Sequence, residues 1–264
     1  MQRLPSEEAP SACLRGGRTI YISRNSCIEK PQNLVGKRTG ELALYGHDAG
    51  VIPKGILSDD FGVKPEQSHW IIGGIDLPMG PIDFVSHPVP AGVEVEWVGT
   101  NVDLGAMLER GEIDALISAD APKAILEGSP KIGRLFEDYE AVERDYYRRT
   151  GIFPIMHTVA VTRELAEEHP DLVKAVYHGF CTAKDRMQEQ YVKGMTFNNM
   201  AIMLPWFSKL IEEDRALLGD DWWPYGVQRN RSAIDVVLRY HHEQGLTKRR
   251  LAIEDVFFPG LFNT

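Results

Sequence analysis

Cysteine is scarce in this chain: Cys13, Cys27 and Cys181 are its three. An odd, widely spaced set with no CxxC pair argues against a disulfide framework and against a structural zinc site. Long apolar runs are absent as well. Nothing approaches the roughly 18–20 residues that span a bilayer, which removes a membrane as partner. The opening stretch from Met1 to Pro10 is polar and carries Pro5 and Pro10. It lacks the apolar segment of a secretory signal, so a cytoplasmic location is expected. Excess positive charge is missing too. A formal net charge of −9 repels phosphate backbones and argues against nucleic-acid binding, although a local cationic pocket for a small anion is compatible with it. There are no internal repeats and no low-complexity tracts.

What is present describes an ordinary globular protein. Hydrophobic residues make up 43% and charged residues 25% of 264 residues, enough apolar material for a sizeable core in one large domain or two modest ones. Thr19–Ser23 reads as a short strand, followed by a loop with Pro31 and a turn over Leu34–Gly40 leading into Glu41–Leu44. Asp48 reads as the N-cap of a helix running to about Asp60, with Pro53 near its first turn and Gly62 as its stop. His69–Ile72 reads as a strand, and Val93–Val98 alternates strictly, as a half-buried strand does. An amphipathic helix over Asn101–Gly111 leads into a buried strand over Asp114–Ser118. A tyrosine-rich helix spans about Tyr139–Arg149, and Pro154–Val161 reads as a strand. Helical patterns then dominate: Asp171–Lys193, Leu204–Leu218 and Ser232–Glu243.

Strands alternating with helices predict a mostly parallel sheet flanked by helices, in the α/β class. The pattern changes near residue 150, from β-α-β to one strand followed by helices. Two lobes joined by extended crossovers explain the change, with a ligand cleft between them at strand ends and helix N-termini. The expected division is 1–23 as an N-terminal remnant and first crossover strand, 24–150 as a second α/β lobe, and 151–264 as the return strand and the helical remainder of the first lobe.

Several segments carry a family likeness. They are Gly111–Ile117, Arg134–Tyr139, Asp145–Thr158, Trp223–Gly226 and Leu238–Leu246, with Tyr146–His157 the most specific. Together they resemble the 4,5-dihydroxyphthalate decarboxylase family over about Leu34–Phe258. The resemblance implies a two-lobed fold like that of type-II periplasmic binding proteins and a non-oxidative decarboxylation, which in the family converts 4,5-dihydroxyphthalate to protocatechuate and CO2. The family shades into solute-binding proteins of transporters, so a non-catalytic receptor for an aromatic or small organic acid is the alternative. Relative to the family's pattern the chain looks short at its N-terminus. It carries a His-Asp pair in Tyr45–Ala49 where uncharged polar residues are expected, and an acid in Ala119–Pro122 where a base is expected.

The implied chemistry needs a base near a phenol, an acid near the ring carbon that loses CO2, and a cation for any further carboxylate. His157 is the first acid/base candidate, at the end of the predicted second crossover and within the most family-like motif; an imidazole titrates in the right range. The other reading is a structural histidine near a hinge. His47 and Asp48 precede a predicted helix N-terminus, where an anion is also favoured; they read either as an acid/base pair or as a loop residue and a helix cap. Tyr45 reads as a hydrogen-bond donor to substrate or as core. Arg148, Arg149 and Thr150 are substrate-binding candidates, since a guanidinium grips a carboxylate with two bonds, against the reading of a solvated, dipole-favoured helix end. Arg18 is a weaker anion clamp. His241-His242 point about 100° apart on a helix and read as structural. No cofactor is expected; a divalent metal held by His47, Asp48 and His157 is a minor hypothesis. The expected partner is a small aromatic carboxylate, with a homo-oligomer left open.

Overall fold

The computed structural model describes residues 17–82, 89–155, 157–196 and 202–264. The expected N-terminal lead-in (1–16) and Met156, within the expected strand Pro154–Val161, lie outside them. The chain is a mixed α/β protein whose strands are β1 (Ile20–Ser23), β2 (Arg38–Leu42), β3 (His69–Gly73), β4 (Glu94–Trp97), β5 (Ala115–Ile117) and β6 (Ile132–Arg134). They form one sheet in the order β4-β3-β2-β5-β1-β6. Strands β4, β3, β2 and β5 run parallel, while β1 pairs antiparallel with both β5 and β6. Helices flank the sheet: α1 (Asp48–Phe61), α2 (Leu104–Arg110), α3 (Lys123–Leu126) and α4 (Tyr139–Thr150). The remaining helices are α5 (Arg163–Glu168), α6 (Pro170–Gly194), α7 (Phe207–Leu218), α8 (Arg231–Glu243) and α9 (Ile253–Val256).

The chain forms two compact units. One takes in Met1–Met156 and Asp235–Leu251, the other His157–Ile234 and Ala252–Thr264. In the first, apolar side chains fill both sheet faces. Ile20, Ile22, Trp70, Ile72 and Ile117 gather on one; Tyr21, Ile71, Leu104, Leu108 and Leu116 gather on the other. Strand β4 alternates exposed and half-buried residues, as an edge strand should.

Two local features depart from the sequence expectation. The expected turn and lead-in around Gly40 is strand β2, in the middle of the parallel part of the sheet. No strand is formed by the described residues of 154–161, although that run alternates apolar residues.

Helix α1 explains much of the first unit's shape. Every residue from Ala49 to Leu57 is buried, so this stretch of the helix has no solvent face and its sequence has no amphipathic stripe. One side packs toward the sheet and the other meets α8, where Val51, Ile52 and Ile56 join Tyr146 and Tyr240. Gly55 is required there: a Cβ would stand 2.3 Å from the Tyr240 ring. Pro53 is the sixth residue of the helix, within its second turn, just beyond the first turn near which it was expected. It removes one backbone donor from the ladder. The Tyr240 hydroxyl donates to Asp59 Oδ2 at 2.7 Å, and Gln244 Nε2 donates to the Val51 carbonyl at 2.6 Å.

The second unit is helical. Val173 of α6 and Phe207 and Ile211 of α7 are buried. Lys184 bridges Asp185 at 2.9 Å and Asp221 at 2.7 Å.

Candidate functional site

In a parallel sheet, ligands gather beyond the carboxyl ends of the strands, where following helices present their N-termini. Here the carboxyl end of β2 runs through the turn Ala43–Gly46 into α1. Ala43 adopts a left-handed conformation, φ 66°, and Gly46 has φ 87°. This turn delivers His47 and Asp48 to the first turn of α1. His47 is the N-cap, one residue before the expected cap Asp48.

His47 and Asp48 form a pair, with Nδ1 of the imidazole 2.8 Å from Asp48 Oδ1 and side chains 25% and 36% exposed. The Ala49 N–H lies 2.7 Å from Asp48 Oδ1 and 3.3 Å from His47 Nδ1. The two contacts at Nδ1 require opposite protonation. The shorter one, to a carboxylate, decides it: Nδ1–H donates to Asp48, and the Ala49 N–H is satisfied by the same carboxylate. This assignment from geometry leaves Nε2 carrying the lone pair. An imidazole oriented by a carboxylate, half open to solvent and at the positive end of a helix, can move a proton next to a bound anion.

Beneath this pair lies a feature that the sequence reading missed. Glu41 on β2 and Lys54 on α1 form an ion pair with both side chains 1% exposed. Lys54 Nζ stands 2.8 Å from each carboxylate oxygen. It also sits 3.9 Å above the Tyr45 ring and 4.8 Å from that of Trp70. Glu41 Oε1 further accepts the Gly46 N–H at 3.2 Å. Burial raises the Glu41 carboxyl and lowers the Lys54 ammonium, each opposed by the attraction of its partner. A cavity of about 10 Å³ borders Lys54, lined also by Thr39, Ser68 and Trp70. That volume holds at most one water, so Lys54 is not a nucleophile for an aromatic substrate. The sign in the sequence was a lysine within the otherwise apolar stretch Ala49–Leu57 of the helix.

Tyr45 is in the core, its ring set edge-on to Trp70 at 5.8 Å. Burial, and next the Glu41 charge, raise its phenol above the ordinary tyrosine value. Arg149 lies at the other end of α1. It donates to Asp145 at 3.0 Å and to Asp60 at 3.2 Å. Asp60 is twelve residues from Asp48 along the helix, about 18 Å at 1.5 Å per residue. Thr150 Oγ1 donates to the Tyr146 carbonyl at 2.8 Å and accepts from the Ile152 N–H at 3.1 Å, closing the end of α4. Arg148 is exposed beside them. The structure therefore does not bring Arg149 and Thr150 to His47. Arg18 is exposed in the turn before β1, its backbone N–H donating to Glu143 at 3.3 Å. His157 is exposed and opens the second unit. His241 and His242 direct Nδ1 to different carbonyls, those of Val237 and Thr247.

Among the described residues, no group of three or more His, Cys, Asp or Glu side chains is placed to hold a metal ion. No described helix is long and apolar enough to cross a membrane.

No family model matches the chain. It is 33% identical over 254 residues to a 4,5-dihydroxyphthalate decarboxylase of Comamonas testosteroni, covering 95% of this chain and 74% of that protein. It is 34% identical over 130 residues to a 4,5-dihydroxyphthalate decarboxylase of Pseudomonas putida, covering 49% of this chain and 50% of that one. A solved structure with some likeness is the periplasmic aliphatic sulphonate binding protein SsuA of Escherichia coli, at 11% identity and a TM-score of 0.42 over 95% of this chain and 72% of that one. A relative one-third identical across nearly the whole of this chain settles its kinship: the chain belongs to the 4,5-dihydroxyphthalate decarboxylase family.

Proposed function

We propose that the protein is a carboxy-lyase that removes CO2, without oxidation, from a hydroxylated aromatic carboxylate such as 4,5-dihydroxyphthalate, giving protocatechuate. The observation that carries this reading is the 33% identity to the Comamonas testosteroni decarboxylase over 95% of the chain. The oriented His47–Asp48 pair supports it by supplying a group suited to the proton transfers.

The reaction replaces a carboxylate on an aryl carbon by a proton. Direct loss of CO2 would leave an aryl carbanion, which is too poor an intermediate. A hydroxyl para to the departing carboxylate offers another route: removal of its proton pushes electron density to the carboxyl-bearing carbon. Protonation there creates a tetrahedral carbon, and breaking the bond to CO2 returns the electron pair to the ring. One proton leaves the phenol and one is added to the ring carbon; the product phenolate then regains a proton from the acid/base group or water, so one proton is consumed overall and no electron acceptor is needed. In this scheme His47 Nε2 takes the phenolic proton, and Asp48 stabilises the imidazolium through Nδ1–H. The positive end of α1 favours a substrate carboxylate nearby. His157 is the alternative acid/base group, and Arg18 is the cation proposed for anion capture.

Incubation with 4,5-dihydroxyphthalate, following CO2 and protocatechuate, tests the reading. Loss of about 10²-fold or more in kcat on His47→Asn, the size of a general acid–base contribution, supports His47. The same loss on His157→Ala with His47→Asn active transfers the role to His157. Saturable binding of the acid without turnover would replace catalysis by a solute-binding role.

A further inference from the structure

We infer that the buried Glu41–Lys54 pair is a positioning device for His47, holding Tyr45 and Gly46, the two residues that immediately precede it. The inference rests on the assignment of His47 as the proton-transfer group and extends it to residues that do not touch substrate. The grip has two parts. Glu41 Oε1 accepts the Gly46 N–H at 3.2 Å, so the residue before His47 is bound by a side chain of the strand it has just left. Lys54 Nζ sits 3.9 Å above the ring of Tyr45, so the next residue back is held by a side chain of the helix it is about to enter. The 2.8 Å contacts between Lys54 and Glu41 join the two holds.

The surroundings leave this arrangement little freedom. Glu41 lies between Ile72 of β3 and Ile117 of β5 in the sheet register. Gly50 leaves room for its carboxylate: a Cβ there would come within 2.0 Å of Glu41 Oε1. At Gly46 a Cβ would stand 2.5 Å from Leu246 Cδ2, and φ is 87°, so both contact and conformation hold that position to glycine. A buried ion pair is an expensive way to join a strand to a helix, since an apolar pair of similar volume is often neutral or better for stability. What an apolar pair cannot do is accept the Gly46 N–H. The carboxylate serves the turn, and Lys54 opposes the loss of its charge and holds it in place, as a supporting shell does for a reacting group.

The discriminating comparison is between two double variants without buried charge. Glu41→Gln with Lys54→Met retains a side-chain oxygen for the Gly46 N–H; Glu41→Met with Lys54→Met does not. The expected result is that Glu41→Met/Lys54→Met melts cooperatively but exchanges its Gly46 amide at least about tenfold faster and loses the Nδ1–H tautomer of His47, read by nitrogen-15 NMR. Its kcat falls about tenfold or more, as small displacements of a reacting group cause, with KM less affected. Glu41→Gln/Lys54→Met, which keeps the Gly46 hold and loses the Lys54 contact with Tyr45, restores the Gly46 protection and recovers the tautomer and kcat in part. An unchanged Gly46 amide and His47 tautomer in a folded Glu41→Met/Lys54→Met would overturn the proposal. Should that variant not fold, the wild-type protein decides: a Gly46 amide exchanging as fast as an open turn overturns the proposal, and protection upholds it. The exchange and tautomer readings need no activity, so an inactive wild type would refute the decarboxylase reading and leave the positioning test intact.

Discussion

Replacing Lys54 by methionine strands the Glu41 carboxylate in a site where both partners are 1% exposed. The cost has a ceiling, because a stranded group can shed its charge. Protonating a glutamate at pH 7 against an ordinary value of about 4.3 costs about 4 kcal/mol. The converse change, Glu41→Gln, strands Lys54, and neutralising it at pH 7 from about 10.4 costs about 5 kcal/mol. Each single substitution should therefore destabilise by about 3–5 kcal/mol, while the double variant, with no buried charge, should lie within about 2 kcal/mol of wild type. The pH dependences should be opposite. In Lys54→Met the glutamate's folded value is raised by burial, so the penalty grows as pH rises from about 4.3 toward that value and is relieved in acid. In Glu41→Gln the lysine's folded value is lowered, so the penalty is full below that value and is relieved as pH climbs from it to about 10.4. Urea unfolding followed by tryptophan fluorescence at several pH values measures this, with Trp70 only 4.8 Å from the Lys54 nitrogen. Additive single effects, or singles each costing under about 1 kcal/mol, would refute the reasoning.

Other expectations follow from single contacts. Gly55→Ala should destabilise by about 1–3 kcal/mol through overpacking against the Tyr240 ring, 2.3 Å from the added Cβ, measured by urea midpoint; an unchanged midpoint would show that α8 yields. Tyr240→Phe should cost about 1.5–3 kcal/mol by removing a 2.7 Å bond to the Asp59 carboxylate, again by urea unfolding. Burial raises the Asp59 carboxyl, but the bonds from Arg239 and Tyr240 outweigh it and hold it below the ordinary value. Its stabilisation is therefore present above the unfolded value of about 3.9 and lost as pH falls through the lower folded one. Asp59→Asn should therefore be less stable than wild type at neutral pH and lose stability less steeply with acid, the two proteins converging at low pH; equal stabilities at neutral pH would contradict this.

The strands legible in the sequence carried either a simple period, as β4 does, or a short apolar β-forming run buried along all or nearly all of its length, as β1, β3 and β5 do. Val93–Val98 alternates because β4 is an edge strand with one face half-covered, and α4 carries tyrosines inward and charges outward. Strand β2 was not legible, although it lies in the middle of the parallel sheet. Its sequence, Arg38-Thr39-Gly40-Glu41-Leu42, places a charge in the core, and only Lys54, thirteen residues on, makes that charge tolerable. Gly40 is small because Ile113 and Leu116 would meet its Cβ at 2.9 Å, a reason visible only in three dimensions. Strand β6 has three residues, too few for a period. At the site, the adjacency of His47 and Asp48 was readable, since neighbours in sequence at a helix start are neighbours in space. The separation of Arg149 from His47 was not, because it depends on which end of α1 receives α4.

The central claim is tested most directly by giving the purified protein 4,5-dihydroxyphthalate and measuring CO2 release together with protocatechuate. The account predicts equal amounts of the two products, formed without an oxidant, at a rate that His47→Asn lowers by about 10²-fold or more while the variant still melts cooperatively. Folded wild-type protein that binds the substrate and releases no CO2, or turnover undiminished in His47→Asn, would contradict it.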